Sequence, residues 1–194
     1  MPQRSPREQT GSWAYAILPF LEQNNIYQGQ NWQAAVDTFA CPARGRPMVM
    51  APVDDIYGQY VGGGWAWAKT DYAANGLAIP NRPGCLPISR FVDGTSHTIL
   101  AGEKSIDPLN YEKPTWYWDE PYFTGGSGGT QRFGTTVQLD TPGVFFADRW
   151  GSPHPSGAQF VFADGSVRPI HYTTAPSVVR ALMTPFGGEI ANDP

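Results

Sequence analysis

Glycine and proline interrupt this chain so often that a long helix has nowhere to form. There are 22 Gly and 19 Pro among 194 residues, about a fifth of the sequence against roughly 12% in an average chain. An interior proline removes a backbone donor, and an interior glycine costs backbone entropy. The elements must therefore be short and joined by many turns. Hydrophobic residues still supply 41% of the chain, with 7 Trp, 9 Tyr and 10 Phe. That is enough apolar surface for a core, and it excludes intrinsic disorder. The length suits one domain.

Thirteen Lys and Arg against 17 Asp and Glu give a net charge of −4. No basic run follows Arg4 and Arg7, so a nucleic-acid partner gripped through its phosphates is not expected. No apolar run approaches the length of a membrane span, so this chain is not expected to insert directly into a bilayer. The opening MPQRSPREQTGSW is polar and lacks the apolar segment of a signal peptide. Two cysteines, Cys41 and Cys85, can pair or remain buried thiols; the expectation is a disulfide. Low charge and high Gly, Pro and aromatic content point to an extracellular or cell-envelope setting.

Residues 13–27 place Trp13, Ile17, Leu21 and Asn24 on one helical side, with Pro19 kinking the segment or dividing it into two short turns. Trp65 and Trp67 alternate as on one strand face. Residues 125–129, GGSGG, predict a mobile loop. The clearest local signal is residues 159–172. There Asp164-Gly165 suits a two-residue hairpin turn, Phe160 and Phe162 share a face, and Pro169 marks an edge strand. Thr174 is the expected cap of a helix with Pro176 in its first turn and Val178, Val179 and Leu182 buried.

His154, nine intervening residues, then Asp164-Gly165 form an H-X9-DG signature inside GSPHPSGAQFVFADGSVRPI. With WAYAILPFLEQNNIY (13–27), DYAANG (71–76), VDGTSHTILAGE (92–103) and VVRALMTPFGGEI (178–190), five ordered blocks resemble the DUF1559 family of prepilin-type, pilin-like bacterial proteins. His97 stands where that family commonly has Asn, and Pro185-Phe186 where a polar pair is usual. The resemblance implies an α+β, pilin-like antiparallel sheet with short terminal helices and many long loops. Members of that family typically begin with a prepilin-type leader and a long hydrophobic anchor helix, and the expectation here, as a departure from that pattern, is the globular domain without the anchor. The expected boundaries are a disordered or leader remnant over 1–12, one pilin-like domain over 13–190 and a tail over 191–194. The family carries no established activity.

The function expected from these observations is that of a non-catalytic extracytoplasmic structural or surface-interaction protein. Its partners would be proteins or copies of itself, met through aromatic surfaces. The alternative is a carbohydrate-active protein, either a glycan-binding module or a glycoside hydrolase. Trp65, Trp67, Trp116 and Trp118 would then be the sugar platform, and two of Asp93, Glu103, Asp119, Glu120, Asp148 and Asp164 the catalytic carboxylates. Asp93 and Asp164 stand in DG turns, where aspartate ordinarily caps backbone amides. His154, between two prolines, can lock its loop by donating to a backbone carbonyl or to Asp164. A mononuclear metal could draw on His97, His154 and His171 with Glu103 or Asp164, but no spaced ligand motif such as HExxH is present. No metal or cofactor is expected. Nucleophile-elbow and phosphate-loop signatures are absent.

Overall fold

The computed structural model describes residues 11–51, 53–54, 66–79, 86–115, 117–119, 121–123 and 128–188. The expectations for residues 1–10, Trp65, Cys85, Trp116, Glu120, most of the GGSGG loop and the 191–194 tail lie outside the described residues.

Ser12 caps the first helix, α1 (Trp13–Ala16), by accepting from the Tyr15 amide. Pro19 then starts a separate 3₁₀ turn, Leu18–Leu21, and Glu22 closes it in the left-handed conformation. A second helix, α2 (Asn24–Gly29), follows. Of the kink and the division expected at Pro19, the division is what forms. These turns pack Ala14, Tyr15, Leu18 and Ile26 against Val36, Phe39, Ala68, Tyr122 and Phe123 in one of two apolar cores among the described residues.

Among the described residues nine short strands follow: β1 (Val49–Met50), β2 (Trp67–Ala68), β3 (Tyr72–Asn75), β4 (Ile99–Glu103), β5 (Gln131–Arg132), β6 (Val137–Leu139), β7 (Trp150–Ser152), β8 (Ala158–Phe162) and β9 (Val167–Ile170). The main sheet has the order β5-β3-β4-β8-β9, while β1-β2 and β6-β7 form separate pairs. The main sheet is antiparallel apart from its β3–β5 edge, which is parallel. The architecture is mixed α+β, with short helices and long loops around a small sheet, in keeping with a pilin-like domain of this family.

Along β8, Ala158, Phe160 and Phe162 are buried while Gln159 and Val161 are half-exposed, as the alternation requires. With Trp150, Ile99 and Ile170 they form the second core. Helix α3 (Pro176–Met183) covers it with Val179, Leu182 and Met183, all buried, while Val178 is half-buried. Its cap is Ala175, not Thr174, and no side chain bonds there. Gly102 is required by this packing: a Cβ on it would stand 2.3 Å from the Phe160 ring.

The hairpin differs from expectation by one residue. Phe162 N donates to Ser166 O and Gly165 N to Phe162 O, both at 2.9 Å, and Val161 faces Val167. The loop is thus three residues, 163–165, with Gly165 at φ +85° as the left-handed closing residue. Pro169 lies on the edge strand, where its missing N–H costs no ladder bond. Among the described residues, no helix is long and apolar enough to cross a membrane.

Candidate functional site

The segment Cys41-Pro-Ala-Arg-Gly-Arg46 turns inward where β3 begins and β4 ends. The Cys41 amide donates to Asp71 Oδ2 at 2.7 Å. Arg44 bonds Asp140 through Nε at 2.9 Å and Asp71 through Nη1 at 3.2 Å. Its Nη2 donates to the carbonyls of Lys104 and Gly151 at 2.6 and 3.1 Å. Arg46 reaches Asp71 at 2.7 Å and Asp119 at 2.5 Å, and Lys104 Nζ reaches Asp119 at 2.9 Å. Lys69 Nζ donates to the Asp119 carbonyl at 2.7 Å. All these ion-paired side chains are at most 1% exposed.

Burial of so many charges is tolerable only because each finds partners in good geometry. Burial alone would raise the Asp119 carboxyl, but Arg46, then Lys104 and Lys69, outweigh it and hold the carboxyl below the usual carboxylate range. For Lys104 burial wins. It pushes the ammonium down to about 7, with Asp119 opposing and Arg46 and Arg132 adding to the fall.

Beside this cluster, Cys41, Glu103 and His154 converge. Their ligand-type atoms lie within 4.8 Å of one another. His154 Nε2 is 3.2 Å from Glu103 Oε1 and 3.5 Å from Cys41 Sγ. The sheet positions Glu103 at the end of β4, where its second oxygen accepts from the Gln159 amide of β8 at 2.8 Å. His154 is held through its backbone: its N–H donates to Ser152 Oγ at 3.2 Å, and its carbonyl accepts from Tyr172 Oη at 2.5 Å. Its imidazole therefore pairs with Glu103 rather than with Asp164.

The expected Cys41–Cys85 disulfide is corrected. Cys41 is a free, buried thiol, and its sulfur faces Glu103 and His154. Burial, followed by the side-chain hydrogen bond to Glu103, pushes this thiol up to about 11. A nucleophilic cysteine needs the opposite shift. It also needs a histidine oriented through its other nitrogen, whereas here carboxylate and sulfur share Nε2. The trio can hold a proton-sharing contact or an ion. Tyr72 adjoins it, and burial, then Glu103 and Cys41, raise its hydroxyl to about 12.

The other described carboxylates singled out by sequence are dispersed. Asp93 accepts from the Gly187 and Gly188 amides, both at 2.7 Å. Asp148 Oδ1 accepts from the Phe133 amide at 2.8 Å. Asp164 Oδ1 accepts from the Ser166 amide and hydroxyl at 2.9 and 2.7 Å. His97 contacts its neighbour Ser96 at 3.0 Å, and His171 Nδ1 lies 2.7 Å from the Ser156 carbonyl. Trp67 stacks on Phe123 at 5.3 Å. Trp118 lies under the Arg132 guanidinium at 5.3 Å and edge-on to Tyr117.

Sequence reasoning missed the charge cluster and the place of Cys41 beside His154 and Glu103. Separation along the chain carries no signal for the trio. The two arginines of residues 41–46, buried in a chain with only 15% charged residues, were the available hint.

No curated protein and no solved structure matches the chain. Residues 2–177 match the family described as "Protein of unknown function (DUF1559)". With most of its length covered, including the H-X9-DG block and the strands that meet at Glu103, the chain belongs to the DUF1559 family.

Proposed function

We propose that the protein is a non-catalytic, extracytoplasmic, pilin-like domain that works by surface contact with copies of itself. One observation carries the reading: every described carboxylate that sequence offered as a catalyst has a structural hydrogen-bonding task. Asp93, Asp148 and Asp164 accept from backbone amides. Glu103 accepts from Gln159 and faces His154, and Asp119 is enclosed by Arg46 and Lys104. The family's extracytoplasmic character supports the location.

A contact surface is available on two loops that Asp107 joins, accepting from the Leu109 and Gly143 amides at 2.9 and 3.1 Å. Leu109, Val144 and Phe145 on these loops and Leu139 at the end of β6 are all exposed, and Arg149 lies over the Phe145 ring at 5.2 Å. Apolar side chains held on rigid loops lose little entropy when a partner covers them. Sedimentation velocity over rising concentration tests this, with the parent beside a Leu109→Ser/Phe145→Ser variant. The reading expects association in the parent and weaker association in the variant. Identical monomers throughout would overturn self-association as the mode of contact.

A further inference from the structure

We infer that Cys41, Glu103 and His154 form a mononuclear binding site for a zinc-like divalent ion, with a fourth position open to an incoming ligand. Two of the three donor–donor distances match those of ligands around one tetrahedral ion. Tetrahedral zinc, with bonds of about 2.3 Å to sulfur and about 2.0–2.1 Å to nitrogen and oxygen, requires an S–N edge of about 3.6 Å and an N–O edge of about 3.3 Å. Here Sγ to Nε2 is 3.5 Å and Nε2 to Oε1 is 3.2 Å. Both edges share Nε2, and all three ligand atoms lie within 4.8 Å of one another. Thiolate, imidazole and carboxylate together suit zinc among the common divalent ions.

The supporting contacts favour binding over a chance meeting. The Gln159 amide holds Glu103 Oε2 and leaves Oε1 beside His154 Nε2. Asp71 anchors the Cys41 backbone, and Ser152 and Tyr172 anchor that of His154. Such outer contacts orient ligands before the ion arrives. Cys41 and Glu103 are buried, but the His154 side chain is 34% exposed, which gives an ion an entry side and a fourth ligand room. Binding forms the sulfur–metal bond as the thiol releases its proton to solvent.

The test uses the whole chain, reduced and stripped with a chelator, then titrated with Zn²⁺ alone and separately with Co²⁺. The inference expects one ion per chain, a thiolate-to-cobalt charge-transfer band, and slower alkylation of Cys41 when Zn²⁺ is present. Cys41→Ser should abolish the band. His154→Gln, at a partly exposed position, should weaken Zn²⁺ binding by about a hundredfold or more, since even an outer-contact loss costs about 10–100-fold. Absence of saturable Zn²⁺ uptake by the parent would overturn the site. So would a cobalt complex without the thiolate band, uptake unchanged by both substitutions, or Cys41 alkylation unaffected by Zn²⁺. The alkylation readout needs no variant, so it holds even if a substitution unfolds the chain.

Discussion

Asp119 takes the Arg46 guanidinium on both of its oxygens, at 2.5 and 3.1 Å, with both side chains buried. This bidentate pair joins the 41–46 segment to the loop before Tyr122, and through Lys104 to the end of β4. Long loops with little regular structure are thereby held to a small sheet.

Removing Asp119 takes from buried Lys104 the carboxylate it reaches and leaves Arg46 with Asp71 alone as its carboxylate, while removing Arg46 leaves Asp119 with Lys104. Asp119→Leu alone is expected to destabilise by about 3–5 kcal/mol, and Arg46→Met by a similar amount. The double variant should cost clearly less than the two together. Urea unfolding of the four proteins measures this coupling, and strict additivity would mean the pair is not the stabilising unit.

The same carboxylate predicts the acid limb of stability. Its folded-state affinity for protons is below its unfolded one, so the unfolded chain binds more protons in acid. The contribution is complete above the unfolded carboxylate value, about 3.9, and is lost as pH falls through the lower folded value. Urea midpoints of the parent should therefore drop steeply between about pH 5 and about pH 2. In Asp119→Asn, which has no proton to gain there, the drop should be shallower. Equal slopes would remove Asp119 as the cause.

Two glycines should fail for different reasons. Gly102→Ala drives a Cβ into the Phe160 ring and should cost about 1–3 kcal/mol by overpacking. Gly165 has open space around it but φ +85°, so Gly165→Ala should cost about 1–2 kcal/mol through backbone conformation alone. A Phe160→Leu background, which frees space near residue 102, should soften the first effect and leave the second unchanged. Thermal unfolding midpoints distinguish the outcomes, and equal softening of both would contradict these assignments.

Cys41 should behave as a buried thiol. Alkylation of the unreduced protein should label Cys41 quickly after denaturation and slowly before it, since the residue is 3% exposed in the fold. Peptide mass mapping reads the site. Absence of label on Cys41 in the denatured, unreduced protein would show that it is covalently engaged.

Local grammar was legible in the sequence wherever neighbours along the chain decide the outcome. Pro19 splits the first helical segment, Phe160 and Phe162 share a buried face, and Pro169 sits on an edge strand. The hairpin loop was one residue longer than Asp164-Gly165 suggests, because the register depends on Phe162 pairing with Ser166 across the strands. What stayed hidden depends on distant segments meeting. Arg46 finds Asp71 and Asp119, Cys41 finds Glu103 and His154, and Asn75 donates to Ile99 O and Met183 O at 2.8 and 2.7 Å. No spacing rule links such residues. Cys41 read as half of a disulfide because a lone sequence supplies only one other cysteine as its partner. The signature histidine and the Gly-Glu of β4 were visible as separate blocks, and only the sheet brings them to 3.2 Å.

The central claim is that these carboxylates hold the fold and do not turn over a substrate. The most direct measurement is release of reducing sugar or chromophore from a broad panel of polysaccharides and glycosides. The parent would be compared with Asp148→Asn and Asp164→Asn, two exchanges that leave the ion cluster untouched. The account predicts no release above the protein-free blank in any sample. Release by the parent that disappears in a folded carboxylate variant would contradict it and assign that residue to catalysis.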